Sequence, residues 1–183
     1  PRKLRSWMCQ IRHFRQGWNT MTIYTNKAGV NTATLGLMFI SGCFATMAFD
    51  LWGQVISPAL GFANLSPHGL AKSLFGALGL PNGDFAGYFM HFYLVGLIGY
   101  PVGWLFIFKP VWDRVIGGGL PWIVPAAVYG FGLWVFAIGG ITAIAGLPFF
   151  LNFTGITWVA LVGHVLYGIV MVAVMVWLTR SRV

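Results

Sequence analysis

Apolar residues run almost unbroken through four stretches of this chain, approximately Asn31 to Ile56, Phe85 to Phe108, Pro121 to Leu147 and Ile156 to Trp177. A helix rising 1.5 Å per residue needs about 20 such residues to cross a hydrocarbon layer about 30 Å thick, so each stretch predicts one membrane-crossing helix. Between the first two, Ser66-Pro67 precedes Leu70, Leu74, Phe75 and Leu78, and Gly79 and Pro81 follow. That order predicts a short amphipathic helix capped by Ser66, with Pro67 in its first position, lying on the outer surface as a lid. Ahead of the first span, Trp7, Ile11, Phe14 and Trp18 recur at helical spacing, with Arg5, Arg12 and Arg15 off that face. This arm is expected to lie on the anionic cytoplasmic leaflet, with docking to another subunit as the alternative.

Composition sharpens the assignment to an all-α, four-helix membrane protein, with an arm over residues 1–30 and a helical domain over residues 31–180. Hydrophobic residues make up 58% of the chain and charged residues 8%, a balance that excludes an ordinary water-facing surface. The formal charge of +8 changes the picture only through its placement. Arg2, Lys3, Arg5, Arg12, Arg15 and Lys27 precede the first span, Lys109 and Arg114 separate the second and third, and Arg180 and Arg182 follow the fourth. Only Lys72 falls on the other side, so the positive-inside rule puts both termini in the cytoplasm. Basic residues at span ends, without an aromatic-interleaved patch, argue against nucleic acid as a partner. No cleavable leader is seen ahead of the first span, which is expected to act as its own insertion signal. Cys9 and Cys43 are expected to be free thiols, and no cysteine spacing suits a metal. Trp52, Trp104, Trp112, Trp122, Trp158 and Trp177 lie near predicted span ends, where an indole N–H can meet headgroups.

Helices in lipid gain little from hydrophobic burial and associate by close approach, which glycine permits. Gly87, Gly99, Gly103, Gly163 and Gly168 are the expected packing positions, Gly99 and Gly103 forming a G-x-x-x-G pair. Gly-Leu-Pro stands before the second span at Gly79 and before the fourth at Gly146, and each of these spans carries one histidine. The recurrence suggests a duplicated hairpin, although the first and third spans show no match.

The ionisable residues inside the spans carry the chemistry. Of the three acidic residues, only Asp50 falls within a span, and counting along the helices brings it level with His91 and His164. An aspartate facing lipid costs about 2.5 to 3.5 kcal/mol, so such groups turn inward and find partners. Asp50, His91 and His164 are therefore expected to form one buried polar cluster, with Thr46, Gln54, Tyr88, Thr142 and Tyr167 as neighbours. Three readings stay open: helix-to-helix hydrogen bonding, imidazole ligation of a haem or a (bacterio)chlorophyll magnesium, and a proton or cation relay. No H-E-x-x-H, G-x-S-x-G or phosphate-binding loop points to catalysis.

The stretches Gly87-Tyr-Phe-Met-His91, Gly146-Leu-Pro148 and Gly163-His164-Val-Leu-Tyr167-Gly168 resemble the YagU-like bacterial inner-membrane proteins over roughly residues 30 to 180. The resemblance implies four helices in a bacterial inner membrane, recurring histidines and no established chemistry. The basic aromatic arm departs from that family's pattern. The expected function is a non-catalytic accessory subunit packed against a larger photosynthetic or respiratory complex, with a histidine able to ligate a pigment or haem. A stand-alone small transporter or stress-linked channel gated by Asp50, His91 and His164 is the alternative.

Overall fold

Asn31 starts the first helix: its side chain accepts the Thr34 N–H at 2.9 Å, one of the donors a helix leaves unpaired at its start. The computed structural model describes residues 31–117 and 119–180. The arm with Arg5, Trp7, Arg12, Arg15 and Trp18 lies outside the described residues. Every element among the described residues is helical. Four helices are long and apolar enough to cross a membrane: α1 (Thr32–Ala59), α3 (Asp84–Val115), α4 (Ile123–Ile144) and α5 (Gly155–Thr179). A shorter helix, α2 (Pro67–Ala77), joins α1 to α3. Pro67 occupies its first turn as expected, but the Ser66 side chain makes no capping bond.

Prolines shape these helices. A proline ring lacks an N–H and crowds the carbonyl four residues back. Three stretches widen to i→i+5 hydrogen bonding on approach to a proline: Trp52–Ile56 before Pro58, Phe89–Gly99 before Pro101, and Gly103–Phe108 before Pro110. Widening moves the crowded carbonyl aside while keeping most N–H groups paired. Val135–Ile141 of α4 widens in the same way without a proline directly after it.

α5 is the centre of the bundle, packing along both α1 and α4, while α1 packs along α3. The approach is close where glycine allows it. A side chain at Gly130 would meet the His164 carbonyl at 2.4 Å, and one at Gly168 would meet the Ala126 carbonyl at 2.4 Å. Gly163 faces Phe49 and Trp52 of α1, Gly103 faces the Tyr129 hydroxyl of α4, and Gly87 faces His68 and Lys72 of α2. Gly99 is different: it is exposed, and only the Leu94 carbonyl of its own helix lies near it. The Gly99/Gly103 pair therefore does not make a two-residue seam. Gly42 fills that role instead, against the Gly96 carbonyl and the Leu97 backbone.

Indoles also pack differently from the expected headgroup belt. Trp104 is fully buried, and the Trp52 N–H donates to the Val159 carbonyl at 2.9 Å. Trp134 donates likewise to the Thr157 carbonyl at 3.0 Å, so α1 and α4 each grip the start of α5. Trp158 and Trp177 do remain exposed. Lys109 is not in a loop, because α3 continues past it; it is buried and pairs with Asp113.

Gly130→Leu and Gly168→Leu should each lower stability by about 1–3 kcal/mol through overpacking at backbone distance. Gly132→Ala, with nothing near the added carbon, should leave it unchanged. Thermal melts in mild detergent check both outcomes.

Candidate functional site

The widened register of α3 creates a need that another helix meets. Because the Tyr100 N–H already bonds the Val95 carbonyl, the next donor in register, for Gly96, would be residue 101. That residue is proline and has no N–H, so the Gly96 carbonyl would face an apolar interior unpaired. Tyr167 of α5 supplies the missing donor, its hydroxyl reaching that carbonyl at 2.5 Å. Tyr129 of α4 similarly donates to the Tyr100 carbonyl at 2.5 Å.

Earlier in α3, His91 Nε2 lies 2.9 Å from Asp50 Oδ1. The same carboxyl oxygen accepts from Gln54 Nε2, also at 2.9 Å. α1 therefore presents an acceptor flanked by two donors, and α3 is tied to α1 at this level. Of the other expected neighbours, Thr46 and Thr142 bond carbonyls of their own helices, while Tyr88 stacks on His68 with ring centroids 4.4 Å apart.

His164 stands apart from this pair. Its Nδ1 lies 2.7 Å from the Ala160 carbonyl one turn back, and a carbonyl can only accept, so Nδ1 carries the proton. In the neutral ring Nε2 then offers a lone pair, and it has no hydrogen-bond partner among the described residues. The ring of Phe49 packs against both imidazoles, at 4.9 Å from His164 and 6.0 Å from His91.

Both histidines line a cavity of about 550 Å³ that sequence reasoning did not find. Its origin lies in the divergence of α3 from α4. The two helices meet where Tyr129 packs on Trp104 and Phe108. Away from that level they separate, Met90, His91 and Val95 forming one wall and Phe136, Ala137, Ile138 and Ile141 the other. α2 closes one end with Leu70, Ala71 and Leu74, held to the start of α3 by the Lys72–Asp84 pair at 2.5 Å. Phe136 lines the cavity and is also 57% exposed, so this wall of the chamber borders the flank of the bundle within the span.

No Lys, Arg, Asp or Glu lines this chamber among the described residues. Its polar surface reduces to a few groups, and Tyr167 and Thr46 are already engaged. The Tyr100 hydroxyl, by contrast, makes no hydrogen bond to a described residue. As a metal site the arrangement is poor, since the described residues bring together no group of three or more metal-ligating side chains. A single imidazole with a free Nε2 in an apolar shell can serve as an axial ligand. Paired ligation through both Nε2 atoms is obstructed, because His91 uses that atom on Asp50.

No family model, curated protein or solved structure matches this chain.

Tyr167→Phe should strand the Gly96 carbonyl and cost about 1–3 kcal/mol. Pro101→Ala restores a backbone donor, so the same Tyr167 change should cost much less in that background. A double-mutant cycle of unfolding midpoints measures the difference.

Proposed function

We propose that this chain is a non-catalytic membrane protein that holds a lipophilic molecule between α3 and α4. The observation that carries the reading is the chamber itself: large, almost wholly apolar, and lined by few polar groups, among them Tyr100 and His164, whose hydroxyl and Nε2 bond no described residue. Cavities that bind small molecules have this character, a volume of roughly 300–1,000 Å³ with few well-placed polar atoms. A wall bordering the lipid-facing flank suits a ligand that arrives through the bilayer rather than from water. The finer topology belongs to the same proposal. The basic residues at the span ends support cytoplasmic termini by the positive-inside rule, a bacterial inner membrane being part of the proposal, and α2 would then cover the chamber from the outer side.

Kinship with the YagU-like proteins is part of this reading. Within the Gly163 to Gly168 element, Gly163 admits Phe49, His164 faces the chamber, Tyr167 pairs with Gly96 and Gly168 admits α4. The relay reading is weaker. Beyond the chamber, Trp104, Leu105 and Tyr129 are buried together as a packed layer, which counts against an ion path through the bundle.

A place beside a larger energy-transducing complex is a second reading. It is favoured by a ladder of exposed aromatic rings on α3, Phe85, Phe89 and Tyr93, stacked at 6.0 and 5.5 Å. Comigration with such a complex in mild-detergent native gels is its expected outcome.

Protein purified in mild detergent should carry a lipophile recoverable by solvent extraction and mass spectrometry. Ala137→Trp, which fills the chamber from its α4 wall, should empty it without loss of folded protein. A Soret or chlorin band lost on His164→Leu would identify the occupant as haem or pigment, and extracts free of any stoichiometric lipophile would end the proposal. For the topology, a reporter fused after Val183 should be active only in the cytoplasm, and one inserted at Gly79 only outside.

A further inference from the structure

We infer that the molecule held in the chamber is a lipid-soluble quinol, and that the site prefers it to the corresponding quinone. This rests on the reading of the chamber as a ligand site and specifies its occupant.

Charge narrows the class first. With no charged side chain on the walls among the described residues, a ligand bearing a carboxylate or phosphate inside the chamber would lose its hydration uncompensated. A tetrapyrrole with free propionates fits poorly for that reason, and so does a fatty acid. A neutral molecule is selected.

Hydrogen-bonding character narrows it further. Tyr100 offers an O–H with no partner among the described residues, and His164 offers a bare lone pair at Nε2. The two rings lie 6.3 Å apart between centroids, tilted by 55°, so the two residues are neighbours on the chamber wall. A headgroup oxygen that accepts from Tyr100 and donates to His164 satisfies each group. A phenolic hydroxyl does both. A quinone carbonyl accepts from Tyr100 but leaves Nε2 buried and unpaired, at 4% exposure of the histidine.

The remaining walls suit a ring with an isoprenoid or alkyl tail. Aromatic faces of Phe49 and Tyr100 flank His164 at the polar end, and a tail can leave through the flank where Phe136 is exposed. That route keeps the tail among acyl chains while the head sits between the helices.

The test uses the full chain in nanodiscs of synthetic phosphatidylcholine, titrated with decyl-benzoquinol, decyl-benzoquinone and decylbenzene, binding being read by calorimetry. The quinol should bind about tenfold tighter than the quinone, the cost of one buried unpaired acceptor. His164→Leu should erase that preference, whereas Tyr100→Phe should weaken quinol and quinone alike, by about five- to tenfold. Decylbenzene should bind weakly and be excluded by Ala137→Trp. Equal affinity for quinol and quinone, with decylbenzene still excluded by Ala137→Trp, would overturn the quinol assignment and leave the chamber standing. If Ala137→Trp excludes none of the three, the chamber reading falls as well.

Discussion

A backbone carbonyl within a bilayer cannot turn to water, so each one freed by a proline must be met by another part of the protein. In this bundle the constraint is sharpest at Gly96, where Pro101 removes the donor and Tyr167 of α5 replaces it. That bond fixes more than one carbonyl. It joins α3 to α5 across the centre of the fold, on the wall of the chamber, and holds the widened stretch Phe89–Gly99 in place. His91 sits in that stretch, so the geometry that pairs it with Asp50 depends on the same register. Short i→i+5 insertions are frequent at functional sites in helices, and here the widened segment supplies a chamber wall.

The chamber follows from two opposing demands. Glycines draw α5 against α4 and α1 to backbone distance, at Gly130, Gly168 and Gly163. α3 cannot follow on the side of α4, because the aromatic rings of Trp104, Phe108 and Tyr129 hold the two helices at one level and they diverge from it. Lipid tails could fill such a gap from the flank, but α2 and the turn after α4 close its end. What remains is a space with membrane on one side and protein on the others. Selectivity there comes from the few polar atoms left unengaged rather than from shape alone.

Much of this was legible in the residues. Run length located all four membrane-length helices to within three residues at every end but one, α3 running seven residues past Phe108, and the Pro67 signal located α2. Counting along the helices placed Asp50 and His91 at one level, and their side chains lie 2.9 Å apart. His164 shares the chamber with His91 yet bonds within its own helix, a choice set by the rotamer and invisible to spacing. Gly99 shows the limit of motif reading: the G-x-x-x-G spacing is present, but whether a neighbour comes close depends on where two helices cross. Trp104 shows the same, lying near a sequence-defined end while α3 runs on to Val115. The cavity had no direct sequence signal. Its nearest warning was Pro58, Pro101 and Pro110, each inside or beside an apolar run, where altered helix register was to be expected.

The closing wall of the chamber shows how the fold sustains an unfavourable local conformation. Phe150, Leu151, Asn152 and Phe153 all adopt positive φ, between 46° and 56°, in a left-handed turn without glycine. Each such residue costs about 1–2 kcal/mol relative to a right-handed turn, so packing must hold the segment. Phe150 and Phe153 stack at 5.3 Å, Trp134 packs against Phe150, and the Thr157 hydroxyl bonds the Phe150 carbonyl at 2.6 Å. A relaxed turn would withdraw Leu151 from the chamber and Phe150 from Gly139. Strain of this kind persists where surrounding contacts over-determine it. Its position at the end of the chamber makes that wall dependent on the Trp134 and Thr157 contacts at the start of α5 rather than on the turn's own preference.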